Sequence, residues 1–104
     1  MIGGTGLYKL AALRDAQALD GTTVYGDPSG PVRVGTLAGR EVAFLARHGE
    51  GHALPPHQVN YRANLRRLAD LGARRVLAIN AVGGLTDHYG PRVVGVPDQL
   101  IDYT

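Results

Sequence analysis

The chain has 104 residues, of which 44% are hydrophobic and 19% charged, the composition of one small globular domain rather than of a disordered segment. It contains no cysteine, so disulfides and thiolate zinc sites are excluded. No apolar run approaches the length of a membrane span, and the opening residues do not follow the pattern of a signal peptide. We therefore expect a cytoplasmic protein with no membrane partner.

The net charge is +2, and ten of the eleven basic residues are arginine. Nucleic-acid interfaces usually have a larger basic excess with interleaved aromatic residues, whereas aromatics make up only 6% of this chain. Some of the arginines form one local cluster, between residues 62 and 75. We interpret this cluster as a solvated face of a helix and expect no nucleic-acid partner. A nucleic-acid-binding domain is the alternative, which a steep loss of affinity with salt would support. The cluster comprises Arg62, Arg66, Arg67, Arg74 and Arg75.

Glycine and proline divide the first part of the chain into short elements. Met1 and Ile2 have the character of a strand end, and a glycine-rich turn follows at residues 3–6. Residues 7–19 are ambiguous, with only a weak helical pattern. Residues 21–25 and 32–37 have the composition of two strands joined by a turn.

A strand, a helix and a second strand follow. The apolar residues 41–46 predict a buried strand. Two prolines before His57 favour a helix start there, and Gly72 suits its C-terminal cap. Residues 75–81 predict the second strand, and residues 93–96 a further one.

The predicted helix has an apolar and a polar face. Asn60 and Asn64 lie early in it, where either could cap the helix or brace a loop. The apolar face is predicted to consist of Tyr61, Leu65, Leu68 and Leu71. The opposite face is predicted to carry Arg62, Arg66 and Asp70.

This order of elements is typical of a βαβ unit with parallel strands. We therefore predict an α/β fold, in which a mixed central sheet contains the βαβ unit and is flanked by helices. Ligands of such sheets bind beyond the carboxyl ends of the strands. Three segments should meet there: the turn at Gly3, Arg47–His48 and Asn80–Ala81.

The three segments carry groups that bind anions. The glycine-rich turn offers backbone amides and the Thr5 hydroxyl, while Arg47 presents a planar fork to phosphate and His48 can donate a hydrogen bond or a proton. Amides near Asn80 could contact a phosphate or a sugar hydroxyl. Each segment alone could equally be a plain turn, an ion-paired arginine or an exposed histidine. Neither a P-loop nor a good dinucleotide fingerprint is present.

Other polar residues indicate no further site. Metal binding by His48, His52 and His57 is disfavoured because glycines interrupt the helical spacing, so no metal is expected. The sequence contains no serine-hydrolase elbow and no recognisable pair of catalytic carboxylates. No acid or base is singled out by the spacing of Asp87, Asp98 and Asp102.

Four motifs occur in order along the chain: GGTGLY, ARHGEGHALPPHQVNYRANLRRL, VLAINAVGGL and the closing PDQLIDYT. Their order and spacing resemble the purine nucleoside phosphorylase and methylthioadenosine phosphorylase family. The motifs cover a little under half of the chain and leave residues 9–39 unmatched. Within the family, Asn80 with the residues after it and the run PHQVNYRAN are most similar to the bacterial methylthioinosine phosphorylases.

The resemblance implies phosphorolysis, in which inorganic phosphate cleaves the N-glycosidic bond of a purine nucleoside to give the free base and a ribose 1-phosphate. Phosphate is then a co-substrate, and no metal or organic cofactor is needed. The resemblance also implies a homo-oligomer, commonly a trimer, in the full enzyme. The phosphate ligands that it implies are Thr5, Arg47, His48, Asn80 and Ala81.

The substrate that the resemblance implies is S-methyl-5′-thioinosine, which would give hypoxanthine and 5-methylthioribose 1-phosphate in purine salvage. The alternatives are a methylthioadenosine or an inosine/guanosine phosphorylase, or a module that binds phosphate or a nucleotide without catalysis.

Family members are well over twice as long, so residues 1–104 are expected to be the N-terminal, phosphate-binding part of a single phosphorylase domain. We expect the base-contacting aspartate beyond Thr104, no activity of this part alone, and an exposed sheet edge that promotes association.

Overall fold

The computed structural model describes residues 1–7 and 9–103, so Tyr8 of the opening motif and Thr104 of the closing motif lie outside the described residues. The strands are β1 (Ile2–Gly3), β2 (Arg14–Leu19), β3 (Val32–Leu37), β4 (Arg40–Ala46) and β5 (Ala78–Ile79). One α-helix, α1 (Tyr61–Asp70), lies in the described part of the chain. Short 3-10 turns occur at Glu50–His52, Pro56–Gln58 and Asp87–Tyr89.

The strands form one mixed sheet in the order β2-β3-β4-β1-β5. Strands β2, β3 and β4 are antiparallel neighbours, whereas β1 is parallel to both β4 and β5. This arrangement confirms the mixed α/β fold. The two strands that flank α1 therefore run in the same direction, but β1 lies between them. Ile2 of β1 pairs with Leu45 on one side and with Ala78 on the other.

Residues 7–19, which the sequence left ambiguous with a weak helical pattern, contain a strand, since Arg14–Leu19 forms β2. This strand is almost entirely exposed and pairs antiparallel with β3, with a register irregularity between Arg14 and Gln17. Its local pattern was too weak to specify a helix, and pairing with a neighbouring strand supplied backbone hydrogen bonds that outweighed it.

The prediction of a strand at residues 21–25 was also wrong. Thr23 and Gly26 exchange two backbone hydrogen bonds of 3.0 Å and so close a tight turn. Gly26 has a φ of +92°, a conformation that glycine adopts without steric cost. The exposed side chains of Val24 and Tyr25 form the tip of this turn.

The later strands are shorter than predicted. Of residues 75–81, only Ala78–Ile79 pair as a strand, and both are exposed. Residues 93–96 are described and form no strand, and Val93, Val94 and Val96 are exposed. Both predictions rested on apolar composition, but a strand forms only where a neighbour supplies backbone partners.

The predicted C-terminal cap of α1 at Gly72 is confirmed, and of the two asparagines that could cap its start, Asn60 does so. Asn60 is the N-cap, and its side chain accepts a hydrogen bond of 3.1 Å from the amide three residues on. Gly72 has a φ of +86°, and the Ala73 amide donates to the Leu68 carbonyl at 3.0 Å, as in a Schellman cap. The helix begins at Tyr61 rather than His57, because residues 56–58 form a separate 3-10 turn.

The buried face of α1 differs from the predicted one. Tyr61 and Leu65 are 53% and 52% exposed, whereas Asn64 and Leu68 are buried. Asn64 lies on the buried side because its side chain binds the loop before β3, as described below. The predicted polar face is confirmed in position, since Arg62, Arg66 and Asp70 are exposed, and Arg66 pairs with Asp70 at 2.9 Å.

The hydrophobic core lies between the sheet and α1. Its buried members come from three strands and the helix, and partly buried Val34, Ala43, Leu71 and Ala73 pack around them. Within the described ranges, no helix has both the length and the apolar character needed to cross a membrane. The core cluster consists of Ile2, Val32, Leu45 and Leu68.

Candidate active site

The carboxyl ends of three parallel strands lie side by side. The Arg47 amide, just after β4, donates to the Gly3 carbonyl at 2.8 Å. The Gly4 amide, just after β1, donates to the Ile79 carbonyl of β5 at 2.9 Å. The three segments that the sequence placed at this edge are therefore held together by backbone hydrogen bonds.

The side chain of Arg47 occupies the centre of this edge. It is half-buried, and its Nη1 donates a hydrogen bond to Oδ1 of Asn80. Its Nε donates to Nε2 of His48 at 3.3 Å. A Cβ atom at Gly4 would lie 2.5 Å from Nη2 of Arg47, so the guanidinium group rests on the backbone of the glycine-rich turn. Only a glycine leaves room for this contact.

His48 is 4% exposed and is fixed through its other ring nitrogen. Its Nδ1 lies 2.9 Å from the Leu54 carbonyl oxygen, and the Leu54 amide donates to the His48 carbonyl at 2.9 Å. Because a carbonyl oxygen only accepts, Nδ1 carries the hydrogen, which leaves the lone pair of Nε2 directed at Arg47. The ring of His52 lies 4.5 Å from that of His48.

The five residues singled out from the sequence fall into two groups. The structure joins Arg47, His48 and Asn80 by hydrogen bonds. Thr5 and Ala81 are exposed and follow directly after Gly4 and Asn80 in the chain. Thr5 therefore lies beside the surface on which the guanidinium rests, and Ala81 lies at the end of β5.

This arrangement suits an oxyanion. The present partners of the Arg47 guanidinium are two uncharged acceptors, a histidine nitrogen and an amide oxygen. A phosphate carries the opposite charge and can accept two parallel hydrogen bonds from the planar guanidinium, so it can compete with these uncharged acceptors for the same donors. Exposure of Thr5, Asn80 and Ala81 leaves this edge of the sheet accessible to such an anion.

Other candidate groups stay apart. His57 is exposed on the 3-10 turn that precedes α1. Over residues 1–7 and 9–103, no three histidine, aspartate or glutamate side chains form a group that could hold a metal ion.

Sequence reasoning missed two contributors to the site. The contact between Gly4 and Arg47 was not foreseen, although the glycine pair was a signal for close approach. The Leu54 carbonyl, which fixes the His48 tautomer, carries no sequence signal because any residue could supply that oxygen.

Comparison with known proteins gives the same family throughout. The model of the phosphorylase superfamily matches residues 1–104. A probable S-methyl-5′-thioinosine phosphorylase of Xanthomonas campestris is 66% identical over the whole chain, which covers 42% of that relative. An S-methyl-5′-thioadenosine phosphorylase of Hyperthermus butylicus is 50% identical, again over the whole chain and 38% of the relative. The chain thus spans about two-fifths of the length of these relatives.

A solved structure shares the fold. The methylthioadenosine phosphorylase of Schistosoma mansoni, in complex with adenine, aligns with a TM-score of 0.80 and 39% identity. The alignment covers 86% of this chain and 32% of the other. Because the family model spans every residue and the fold agrees with that of a solved member, this chain belongs to the phosphorylase superfamily.

Proposed function

We propose that this chain provides the phosphate-binding part of an enzyme that cleaves a purine nucleoside with inorganic phosphate. The observation that carries the proposal is the position of Arg47, which contacts His48, Asn80 and the backbone of Gly4 at the carboxyl ends of three parallel strands. Membership of the phosphorylase superfamily supports the same chemistry.

Five residues form the phosphate site in this proposal. Arg47 supplies positive charge and a planar pair of donors, and Asn80 turns from Arg47 to the incoming anion. When Arg47 turns to the anion, Nε2 of His48 loses its present donor and accepts a hydrogen bond from a protonated phosphate oxygen. The remaining ligands are the Thr5 hydroxyl and the backbone at Ala81.

The site promotes reaction by holding phosphate below the sugar. A phosphate oxygen forms a bond to the anomeric carbon while the N-glycosidic bond breaks, and its electron pair leaves with the purine. The bound anion stabilises the positive charge that develops on the ribose. A proton delivered to a ring nitrogen of the leaving purine completes the exchange, and no metal or organic cofactor takes part.

We propose S-methyl-5′-thioinosine as the nucleoside, with hypoxanthine and 5-methylthioribose 1-phosphate as products. The support is the higher identity to the probable thioinosine enzyme of Xanthomonas campestris, 66%, than to the thioadenosine enzyme of Hyperthermus butylicus, 50%. Methylthioadenosine and inosine or guanosine are the competing substrates. A homotrimer is proposed for the full-length enzyme.

A module that binds phosphate or a nucleotide without catalysis is the second candidate. It is favoured by one observation: Arg47, His48 and Asn80 are already joined by hydrogen bonds within this chain, which spans about two-fifths of its relatives. Such a module would hold phosphate and release no purine.

Purine release separates these candidates. The assay compares the chain with a chimera that joins residues 1–104 to the part of the Xanthomonas campestris relative that follows its matching segment. Each protein is given methylthioinosine, methylthioadenosine or inosine, with and without phosphate. We expect the chimera to release hypoxanthine fastest from methylthioinosine and only with phosphate, and the chain alone to release none.

Two results would contradict the proposal. Release without phosphate would indicate hydrolysis, and a folded chimera that binds phosphate but releases no purine would favour the binding module. Faster release from methylthioadenosine would retain phosphorolysis and change the substrate.

A further inference from the structure

Asn64 is a buried polar residue whose side-chain oxygen and nitrogen both bond to the same residue. It is 2% exposed and lies in the first half of α1. Its Oδ1 accepts a hydrogen bond of 2.7 Å from the Ser29 amide, and its Nδ2 donates to the Ser29 hydroxyl at 2.9 Å. The two residues are 35 positions apart, so this pair joins the helix to the loop before β3.

A buried amide at this position needs a reason other than helix packing. Burying an amide is unfavourable unless its hydrogen bonds are made, and an apolar side chain would fill the same side of the helix without that condition. Both polar ends of Asn64 are directed at Ser29. The Asn64 side chain therefore fixes the position of Ser29, which a nonspecific packing contact between the helix and the loop would not do.

Two further side chains of α1 hold other parts of the same loop. Asn60 donates to the Tyr25 carbonyl at 2.7 Å, and Arg67 donates to the Asp20 carbonyl at 2.8 Å. Neither contact involves Ser29. Asn60 thus offers a control for Asn64, because it caps the same helix and binds the same loop without contacting Ser29. Asn60→Ala therefore reports what weakening the helix start and the loop contact does by itself.

Ser29 lies directly against the loop that carries His48. A Cβ atom at Gly49 would lie 2.9 Å from the Ser29 carbonyl oxygen, so the two backbones are packed without space for a side chain. Gly49 is buried and has a φ of +74°. A shift of Ser29 would therefore be transmitted to Gly49 and to the adjacent His48.

We propose that Asn64 is a positioning residue for the phosphate site, acting through Ser29 and Gly49 to set the orientation of His48. The inference rests on the proposed function only for the role of His48 toward phosphate. The coupling itself is a property of the fold and can be observed without any ligand.

The test uses the 104-residue chain and inorganic phosphate. Nuclear magnetic resonance follows the Gly49 amide and the His48 ring, and a phosphate titration gives the dissociation constant. Asn64→Ala removes both hydrogen bonds, whereas Asn64→Asp keeps an acceptor for the Ser29 amide and one for its hydroxyl. Asn60→Ala is the control, and Arg47→Ala identifies phosphate bound at the proposed site.

We expect Asn64→Ala to shift the Gly49 and His48 signals and to weaken phosphate binding about tenfold, because small displacements of a binding group are costly. Asn64→Asp should bind phosphate more tightly than Asn64→Ala but less tightly than the parent, because it keeps both acceptors and buries a carboxylate. Asn60→Ala should change the phosphate affinity by less than about twofold, since it lies outside the Ser29 contact. If Asn64→Ala does not fold, Ser29→Ala is the milder variant, because it removes only the hydrogen bond between Asn64 and the Ser29 hydroxyl. It should shift the same Gly49 and His48 signals.

Unchanged His48 signals in Asn64→Ala, or equal effects of Asn60→Ala and Asn64→Ala, would overturn the inference. A failure of the proposed function would appear in the phosphate titrations instead. The parent chain would then bind no phosphate, or Arg47→Ala would bind it as well as the parent does. In that case, the shift or constancy of the His48 signals without phosphate still decides whether Asn64 positions that ring.

Discussion

The guanidinium group of Arg47 lies against the α-carbon of Gly4. A Cβ atom added at Gly4 would stand 2.5 Å from Nη2 and 3.1 Å from Cζ of Arg47. The same Cβ would lie 2.9 Å from the Ile79 carbonyl oxygen, which accepts the Gly4 amide. The glycine-rich turn thus sets both the position of the arginine and the distance between β1 and β5.

Gly4→Ala should therefore displace Arg47 and weaken phosphate binding. We expect the phosphate KM of the chimera to rise about tenfold or more, with a smaller change in the nucleoside KM. Gly83→Ala is the control, because a Cβ at Gly83 would meet nothing within 4 Å. Equal phosphate KM values for the two variants would show that the Gly4 contact does not position the arginine.

Removing a phosphate ligand should affect one substrate more than the other. Arg47→Ala and Thr5→Ala in the chimera should each raise the phosphate KM by at least about tenfold, since each removes a donor to the anion. The nucleoside KM should change much less. Steady-state kinetics with each substrate varied in turn measures both values. Unchanged phosphate kinetics in both variants would make the assignment of the phosphate site wrong.

Leu68 is the helix residue on which the core depends. It is 1% exposed and packs with Ile2, Val32 and Leu45. Leu68→Ala should lower the free energy of unfolding by roughly 2–5 kcal/mol, whereas Leu65→Ala, at a half-exposed position of the same helix, should change it by less than about 1 kcal/mol. Urea unfolding of the chain measures both. A similar loss in the two variants would mean that the buried face of α1 is misassigned.

The β5 edge should promote self-association of the chain. Leu77 is 58% exposed and leads into β5, and unpaired strand edges join readily to one another. Leu77→Lys should raise the concentration at which the chain associates by about tenfold, because two like charges would meet across the paired edges. Light scattering over a concentration series measures this.

Leu85→Lys makes the same change of residue at a fully exposed position outside the strand. It should leave the association of the chain nearly unchanged. A parent chain that stays monomeric at all concentrations, or a Leu85→Lys variant that associates as weakly as Leu77→Lys, would exclude the β5 edge as the cause.

The amino group of Met1 should make stability depend on pH. Partial burial lowers its pKa from the usual value of 8.0, because desolvation disfavours the charged form. Between the lowered pKa and 8.0, the unfolded chain holds more protons than the folded one. The free energy of unfolding should therefore rise with pH through this range and become constant above it.

Urea unfolding between about pH 6 and pH 9 measures this slope, and a chain acetylated at Met1 is the control because it lacks the titrating group. The difference in slope between the two chains isolates the contribution of the amino group. Identical slopes would show that the Met1 pKa is the same in the folded and unfolded chains.

Local sequence determined several elements of this protein. The alternation and apolar character of residues 32–37 and 41–46 specified two strands, and both formed within one residue of prediction. Asn60, one of two candidate caps, and Gly72 indicated a helix, although its start was predicted at His57 and lies at Tyr61. Caps and alternation are short-range effects, so a single sequence is sufficient to reveal them.

Long-range contacts decided what local patterns could not. Arg14–Leu19 became a strand because β3 offered it backbone partners, although its own pattern weakly favoured a helix. The placement of β1 between β4 and β5 depended on pairing with residues more than 40 positions away. Apolar spacing also failed to identify the buried face of α1, which its hydrogen bonds to the 20–29 loop help to fix.

The candidate site, like the fold, was predicted only in part from the sequence. The sequence by itself indicated that Gly3, Arg47 and Asn80 follow strands whose ends meet at one edge of a sheet, since parallel strands bring their carboxyl ends together. Only the tertiary structure decided that Arg47 rests on Gly4 and that Leu54 fixes the His48 ring. It also decided that Asn64 holds Ser29 against Gly49. Each of these contacts has a backbone atom of another segment as one partner, and local sequence does not reveal which segment supplies it.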